Sequence, residues 1–454
     1  MSDPVEQTYL ARNRRSAELY ARALNVLPGG NSRTTVFFSP YPFYAVRGEG
    51  FRAWDADGNV RVDFLNNYTS LILGHAHPKV VAAIAEAAAR GASFAAPTEY
   101  EIQLAEELCR RVRSVERVRF TNSGTEATML AIRAARAYTG RPKIAKFEGG
   151  YHGSHDYAAV SVSPDPNQAG PAERPRPVPD GPGVPDAVLG TVVVLPYNDL
   201  EAVRRLLEVE GQEIAAVLVE PLMGAGGAIP ATAEFLRGLR ELTRQYGIVL
   251  IFDEVIAFRL AYGGAQAYFG VEADLTTFGK IIGGGLPIGA LGGRAELMDL
   301  FDPRRPDQIG HGGTFNANPV AMAAGLATLA ELTPAAYEHL NRLGELARRR
   351  LRQAFERLGI PAQVTGAGSI FAVHFTAEPV TDYRSARRGA HPQLLRRLHL
   401  GLLNEGVIIA PRGMGCLSTP MTEAEVELLG QAVENALGCA EPVSGLEARP
   451  GDPL

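Results

Sequence analysis

Short runs of apolar, mostly β-branched residues recur through the middle of this 454-residue chain. Three of them lack the polar alternation of a half-buried strand: TVVVL (191–195), IAAVLV (214–219) and IVLIF (248–252). Such runs are typical of strands buried on both faces of a parallel sheet. Between the last two runs, apolar residues recur at helical spacing up to Gly247, where a helix is expected to stop. We therefore predict βαβ units and an α/β fold that binds its ligands at the carboxyl ends of the strands.

Composition and charge exclude several classes of protein. The formal net charge is -5, so no basic stripe favours nucleic acid, and we expect a small-molecule partner. The polar N-terminus lacks the apolar core of a secretory signal, and no apolar run reaches the about 20 residues that span a bilayer. We therefore expect a cytoplasmic protein that does not bind membranes. The widely separated Cys109, Cys416 and Cys439 predict neither disulfides nor a zinc site.

The chain is long enough for more than one packed unit. After about residue 330 the alternation gives way to long helical patterns with short strand-like segments. We predict a large domain at 66–328, a small α+β C-terminal domain at 329–454, and an N-terminal segment, 1–65, that packs with the small domain. The segment 163–186 contains eight prolines and predicts a surface loop, either a lid beside an active site or a solvent-exposed insertion.

Two segments place ionisable residues where buried strands should end. In IFDEVIAF the apolar run ends at Asp253, and a buried carboxylate there is costly unless a cation or strong donor meets it. In TTFGKIIGGG, Lys280 lies among apolar residues and glycines, a setting that lowers the pKa of an amine towards nucleophilic use. The Asp253 carboxylate could pair with a protonated pyridine nitrogen. The Lys280 amine could form a Schiff base. Alternatively, Asp253 caps a helix or pairs with an arginine, and Lys280 is a surface lysine.

Two further segments suit a flat, phosphorylated ligand. In NSGTEATMLAIRAARAY, Ser123, Gly124 and Thr125 stand at a predicted helix N-terminus, where free amides and hydroxyls can bind a phosphate. The same residues could form a capping box and nothing more. In KFEGGYHGSHD, glycines surround Tyr151, whose ring can stack on a heterocycle. The neighbouring His152 lacks the acidic spacing of a metal site, so we predict no metal.

Six motifs in this order resemble those of the class III aminotransferases of pyridoxal-5'-phosphate (PLP) fold type I: NSGTE, GGYHG, VEP, FDEV, TTFGKIIGGGLPIGA and GTFNANP. The likeness extends from about Asn31 to Leu428. Within the class, the chain resembles bacterial β-phenylalanine (β-amino acid) aminotransferases most closely, and glutamate-1-semialdehyde aminomutases next. The resemblance implies an α/β fold with a mainly parallel, helix-covered sheet in the large domain and a smaller α+β domain.

The resemblance also implies roles for individual residues. Lys280 would be the catalytic residue, forming the Schiff base with PLP and moving the proton, and Asp253 would pair with the pyridinium nitrogen. The other residues implied to bind the cofactor are Ser123, Gly124, Thr125, Tyr151, Val255, Ile256 and Thr314. Among them, Tyr151 and Val255 would cover opposite ring faces. Thr314 would reach the phosphate of a neighbouring subunit, which implies a homodimer with a shared active site. Glu220, in VEP, would support the site through hydrogen bonds.

Two arginines distinguish the two similar groups of enzymes. Arg33 and Arg412 match arginines that β-phenylalanine aminotransferases use for carboxylates, whereas aminomutases place one differently and lack the other. The resemblance therefore predicts an aminotransferase that moves the amine of a β-amino acid, such as β-phenylalanine, to 2-oxoglutarate or pyruvate. The alternative is glutamate-1-semialdehyde 2,1-aminomutase. A PLP-dependent decarboxylase or racemase and a non-catalytic binding module are more distant alternatives, and each arginine could instead form a surface ion pair.

Overall fold

The computed structural model of the chain describes residues 3–388 and 390–438, so Cys439 and the rest of the C-terminus lie outside the described residues. Its largest sheet has seven strands, in the spatial order Arg117–Thr121, Gly289–Gly293, Leu275–Gly279, Val249–Asp253, Ile214–Val219, Lys143–Phe147 and Val192–Leu195. Only Gly289–Gly293 runs antiparallel to its neighbours in this sheet. This mainly parallel sheet confirms the predicted α/β fold, and the three apolar runs form buried strands within it.

Helices cover both faces of this sheet because successive strand residues point to opposite sides. Leu250 packs in one apolar cluster with Phe235 and Leu239 of a helix, whereas Ile251 packs on the other face with Leu130. The described helices of eight or more residues are Pro4–Arg12, Arg14–Ala23, Pro78–Arg90, Glu99–Arg111, Gly124–Thr139, Leu200–Glu210, Ala233–Tyr246, Pro319–Glu331, Pro334–Leu358, Pro392–Asn404 and Glu423–Gly438. The helix predicted before Gly247 ends there, with Gly247 in the left-handed conformation.

The N- and C-terminal parts of the chain share a smaller sheet. Its strands are Ala45–Glu49, Arg52–Asp55, Val60–Asp63 and Val407–Ile408, in that order. The first three form an antiparallel meander, and the last pairs in parallel with the third. A three-stranded antiparallel sheet, Gln363–Thr365, Ile370–His374 and Met414–Cys416, and a two-stranded one, Leu222–Met223 and Ile229–Pro230, complete the strands. The domain boundaries at residues 65 and 328 stay a prediction.

The proline-rich segment 163–186 contains no helix or strand before Asp186. It is fastened to the short helix Tyr383–Arg388, since the Tyr383 hydroxyl donates to the Pro164 carbonyl and Arg384 donates to the Gly170 carbonyl. Arg384 also forms an ion pair with Glu148, which follows a central strand. These contacts bring the segment next to the carboxyl edge of the large sheet, and a lid function stays a hypothesis.

Among the described residues, no single helix combines the length and apolar character needed to cross a membrane. The helices Pro319–Glu331 and Pro334–Leu358 meet that requirement only when taken together, and they are bent by 77° relative to each other.

Candidate active site

The candidate site lies where neighbouring strands of the large sheet end. In spatial order, Lys280 follows Leu275–Gly279, Asp253 ends its strand, and Glu220 follows Ile214–Val219. The Tyr151 loop, residues 149–160, follows the next strand. Because these strands are parallel, their carboxyl ends meet at one edge of the sheet. The parallel topology therefore assembles residues that are up to about 130 positions apart in the chain.

Lys280 begins a short 3-10 turn in a left-handed conformation, with φ of 51°. A non-glycine residue pays a steric cost there, and such strain concentrates at functional sites. Burial lowers the pKa of the Lys280 amine, and the Arg33 charge acts in the same direction, while Asp253 and Glu220 raise it. A lowered pKa makes more of the uncharged amine available as a nucleophile.

Asp253 is almost fully buried, and both its carboxylate oxygens have hydrogen-bond partners. Its Oδ2 lies 2.8 Å from Nδ1 of His152, and its Oδ1 accepts from the Thr277 hydroxyl and the Val255 amide, each at 3.1 Å. Thr277 is in register with Asp253 on the adjacent parallel strand. Among the residues that the structure describes, Asp253 pairs with no arginine, contrary to one of the alternatives from sequence.

His152 is a buried neighbour of Asp253 that the sequence did not assign to the site. Burial lowers its pKa, although the Asp253 carboxylate opposes this shift, so the ring is neutral at physiological pH. Nε2 of His152 has no hydrogen-bond partner within the described part of the chain. A neutral histidine does not neutralise the Asp253 carboxylate, which remains available to a cation such as a protonated ring nitrogen.

The Glu220 carboxyl forms a hydrogen bond with the Tyr151 loop. Its Oε1 accepts from the Tyr151 amide at 2.9 Å and its Oε2 from the Gly224 amide at 3.0 Å. Burial and the nearby Asp253 carboxylate raise the pKa of Glu220 to about 8, against the two amide hydrogen bonds and Lys280. Tyr151 itself is 46% exposed, so its ring is free to cover a bound heterocycle.

The Ser123 turn, residues 123–125, begins the helix Gly124–Thr139. The Ser123 hydroxyl accepts from the Glu126 amide at 3.2 Å, and Glu126 in return accepts from the Asn122 amide. Ser123 therefore caps the helix, and Glu126 binds the residue before the cap where a full capping box would bind Ser123 itself, which leaves other first-turn amides free for an anion. A Cβ on Gly124 would lie 2.9 Å from Cγ2 of Val255, so only glycine allows the turn to approach Val255 this closely.

The remaining predicted cofactor residues are Val255, Ile256 and Thr314. Val255 and Ile256 lie two and three residues after Asp253 and are half-buried, and Val255 also lies against Gly279, next to Lys280. Thr314 is exposed and borders a separate cavity of about 260 Å³ that is also lined by Arg119, His311 and Asn316. None of the other predicted cofactor residues lines this cavity.

Both predicted substrate arginines lie near Tyr68, a residue that the sequence analysis missed. Arg33 is exposed, donates to the Asn67 side chain at 2.7 Å and lies 5.6 Å from the centre of the Tyr68 ring. Arg412 is exposed as well, and the charges of both arginines lower the pKa of Tyr68 against a larger upward shift from burial. The four residues Asn66–Thr69 all have positive φ, between 48° and 77°. No glycine in this segment signals such a turn.

These features fit PLP. Asp253 supplies a buried carboxylate without a cationic partner, Lys280 supplies an amine with a lowered pKa, and the Ser123 turn supplies amides for a phosphate. Each group has the chemistry that one part of the cofactor requires.

Comparison with known proteins shows the family. The family model described as aminotransferase class-III matches residues 37–435. The glutamate-1-semialdehyde 2,1-aminomutase of Methanothermobacter thermautotrophicus is 45% identical over 426 residues, which cover 93% of this chain and 99% of that protein.

Proteins of known structure agree with the family match. An omega-transaminase from Sphaerobacter thermophilus is 52% identical with a TM-score of 0.90, and the match covers 93% of this chain and 97% of that chain. A β-phenylalanine aminotransferase from Variovorax paradoxus is 39% identical with a TM-score of 0.87, covering 96% of both chains. These neighbours and the aminomutase above confirm the resemblance inferred from the six motifs.

The predicted function of β-amino acid aminotransferase is wrong. The curated relatives that match nearly the whole chain are glutamate-1-semialdehyde 2,1-aminomutases, at 43% to 45% identity, which supports the alternative instead. The error arose because Arg33 and Arg412 were used to select the substrate. A guanidinium group binds any carboxylate, and glutamate 1-semialdehyde carries one too, so these arginines do not identify the amino donor.

The cofactor prediction is confirmed by family and by structure. A transaminase with PLP bound is 44% identical to this chain with a TM-score of 0.86, over 94% of this chain and 97% of that chain. The family match and the residues at the strand ends lead to the same cofactor. The chain is therefore an enzyme of the class III aminotransferase family and uses pyridoxal 5'-phosphate.

Proposed function

We propose that this enzyme is a glutamate-1-semialdehyde 2,1-aminomutase, which moves the amine of its substrate from C2 to C1 without an external amino acceptor. The observation that carries the proposal is the full-length match to the aminomutase of Methanothermobacter thermautotrophicus, at 45% identity over 93% of this chain. Repeated matches to other aminomutases at similar identity support it.

The residues at the strand ends can serve this reaction. When bound, PLP supplies a carbonyl carbon for the amine and an electron-poor ring that stabilises negative charge on the adjacent carbon. Nζ of Lys280 takes a proton from the substrate carbon and returns it at the neighbouring position, for which its lowered pKa is suited. Asp253 would pair with the ring nitrogen of the cofactor. Tyr151 and Val255 would cover the two faces of its ring.

The substrate carboxylate needs a cationic partner, and two exposed guanidinium groups lie beside Tyr68. Arg33 is held by Asn67, while Arg412 follows Pro411 in the C-terminal part of the chain. We assign the carboxylate of glutamate 1-semialdehyde to this pair, since a bidentate arginine fixes both its position and its orientation. The aldehyde and the amine then point towards Lys280.

A second candidate function is amino transfer between two small molecules, from an amine to a keto acid. The observation that favours it is the 52% identity to the omega-transaminase from Sphaerobacter thermophilus. Two arginines near one pocket would also serve an amino donor and a keto acid in turn.

The two candidates differ in their need for a keto acid. The PLP-loaded enzyme, given glutamate 1-semialdehyde alone, is expected to form 5-amino-4-oxopentanoate over many turnovers. Chromatography measures the amount of this product. Lys280→Ala, which removes the proton-carrying amine, is the control and should lose activity by several orders of magnitude. Turnover that starts only when 2-oxoglutarate or pyruvate is added would reject the aminomutase and leave the transaminase.

We also propose that the active enzyme is a homodimer. Thr314 borders a cavity that Lys280 does not line, and Phe94 and Phe315 near it are 51% and 60% exposed. Apolar side chains exposed beside a cavity favour burial against a second copy, which would bring Thr314 to the neighbouring site. A cytoplasmic location and the three-part domain division are kept as predictions from the sequence.

A further inference from the structure

Lysine is rare in this chain, and one lysine is unusually placed. The 45 basic residues other than histidine include only four lysines, Lys79, Lys143, Lys146 and Lys280. Lys79 pairs with Glu331, and Lys143 pairs with Glu210 and Glu213. Lys280 belongs to the site described above. Lys146 is 0% exposed on the strand Lys143–Phe147, next to the edge strand of the large sheet, and no role has yet been given to it.

The amine of Lys146 joins the two ends of the Tyr151 loop. Nζ donates to the carbonyl of Gly150 at 2.9 Å and to the carbonyl of Val160. Gly150 directly precedes Tyr151, and Val160 ends the loop. Among the described residues Lys146 forms no ion pair, so these two carbonyls are its hydrogen-bond partners. A single buried atom thus fixes the start and the end of the loop relative to the sheet.

The charge state of Lys146 suits this arrangement. Burial lowers its pKa to about 7, although Glu220, Asp180 and Glu148 act in the opposite direction. An uncharged amine has two N–H groups, and the two carbonyls accept both. The other ionisable groups on which its charge acts are His152 and His155 of the loop, whose pKa values it lowers.

The segment between the two carbonyls carries groups that contact the rest of the site. The Tyr151 amide is bound by Glu220, and His152 is bound to Asp253. Further along, the Ser154 amide donates to the Thr125 hydroxyl of the Ser123 turn at 3.4 Å. Any displacement of the loop ends would therefore move the ring of Tyr151, the partner of Asp253 and a neighbour of the Ser123 turn together.

We propose that Lys146 is a positioning residue that holds Tyr151 and His152 in place for PLP by fastening both ends of their loop to the central sheet. This role rests on the proposed cofactor site around Lys280 and not on the choice of substrate.

The test compares Lys146→Met with Lys143→Met, a change on the same strand at a partly exposed lysine. In the apoprotein, the amides of residues 150–160 are expected to exchange their hydrogens roughly tenfold or more faster in Lys146→Met, because two buried carbonyls lose their donors. PLP affinity, followed by absorbance, should fall by a similar factor. Lys143→Met should leave both unchanged.

Lys146→Gln provides a second variant, since its amide keeps two N–H donors on a shorter stem. It is expected to recover part of the loop protection and of the PLP affinity. Equal losses in the Gln and Met variants would overturn the proposal, and so would wild-type loop exchange in Lys146→Met. Loss of protection across the whole sheet, or failure to fold, would also overturn it, because Lys146 would then support the sheet and not the loop.

These measurements are independent of the substrate. Exchange in the apoprotein and PLP binding require no glutamate 1-semialdehyde, so a negative result here would leave the proposed aminomutase reaction standing. Conversely, an enzyme without aminomutase turnover would still show the predicted difference between Lys146→Met and Lys143→Met.

Discussion

Glu220 and Asp253 end neighbouring strands, yet their surroundings differ. Asp253 accepts from a side-chain hydroxyl and a backbone amide and contacts the neutral His152, so its charge is well solvated by the protein. Among the described residues, the Glu220 carboxyl accepts from two amides only, and burial beside Asp253 raises its pKa to about 8. The Glu220 carboxyl therefore keeps its proton near neutral pH.

Glu220 should make the free energy of unfolding of the apoprotein depend on pH. In the folded apoprotein Glu220 has a pKa of about 8 against the ordinary value of 4.5, so the folded state binds its proton more tightly. The stabilisation from this group is complete below the ordinary value, and the free energy of unfolding falls as pH rises between these two values. Glu220→Gln should remove this fall, as measured by urea unfolding at several pH values.

Glu220→Gln should also lower the free energy of unfolding by an amount that does not depend on pH. A glutamine oxygen can accept from only one of the Tyr151 and Gly224 amides, so the loss is expected to be about 1–3 kcal/mol at low pH. Glu234→Gln, at an exposed position in a helix, is the control. A pH profile of Glu220→Gln with the same slope as wild type would contradict the assigned pKa.

At the scale of elements, the helix Gly124–Thr139 combines two functions at its N-terminus. Ser123 caps the helix, as one of the two interpretations from sequence allowed, although Glu126 binds the Asn122 amide and not the Ser123 amide of a full capping box. A cap satisfies one or two of the four free amides of a helix start and leaves the others for a phosphate. The two interpretations are therefore compatible.

Ser123→Ala tests whether both functions are present. Loss of the cap should cost about 0.5–2 kcal/mol in the free energy of unfolding. Thr333→Ala is the matched control, because the Thr333 hydroxyl caps the helix Pro334–Leu358 in the same way through the Ala336 amide. Both variants should lose similar stability, but only Ser123→Ala should lower the affinity for PLP in an absorbance titration. Equal PLP affinities would show that the Ser123 turn is a cap alone.

The conformation of the turn Asn66–Thr69 could not be predicted from its own residues. Turns with positive φ are usually signalled by glycine, and here four consecutive residues other than glycine adopt them. The conformation is imposed by contacts from distant parts of the chain, such as the bond from the Asn66 side chain to the Cys416 carbonyl. Tyr68 was missed for this reason.

In the whole molecule, Arg259 connects the region after Asp253 with the turn Asn66–Thr69, which lies beside the substrate arginine Arg33. It is fully buried, and its guanidinium donates to the carbonyls of Thr69 and Leu417 and to the Ser369 hydroxyl. These three partners come from the turn Asn66–Thr69 and from two places in the C-terminal part. One side chain thereby joins the region after Asp253 to the turn that carries Tyr68.

Arg259→Leu should destabilise the protein strongly. Two buried carbonyls and a hydroxyl would lose their donor, at about 1–3 kcal/mol for each unpaired group, so we expect a loss of at least about 3 kcal/mol in urea unfolding. Arg205→Leu, at an exposed helix position, should change stability by no more than about 0.5 kcal/mol. A loss below about 1 kcal/mol in Arg259→Leu would show that these bonds do not hold the parts together.

Local sequence patterns were sufficient for the fold, the family and the cofactor. Strand runs without alternation, the helix before Gly247 and six ordered motifs depend on residues close in sequence, whose preferences act wherever the segment is placed. The substrate was predicted wrongly from the same sequence. Recognition by Arg33 and Arg412 depends on where a carboxylate lies between them, which no local pattern encodes.

The amino-acid sequence alone determined which segments form strands and helices, and which of them end in Asp253, Lys280 and the Ser123 turn. The tertiary structure alone decided the partners: His152 beside Asp253, Lys146 bound to both ends of the Tyr151 loop, and Tyr68 near two arginines. The physical reason is that hydrogen bonds and pKa shifts depend on burial and on distances between atoms far apart in the chain. Those distances exist only once the parallel strands have brought their carboxyl ends to one edge.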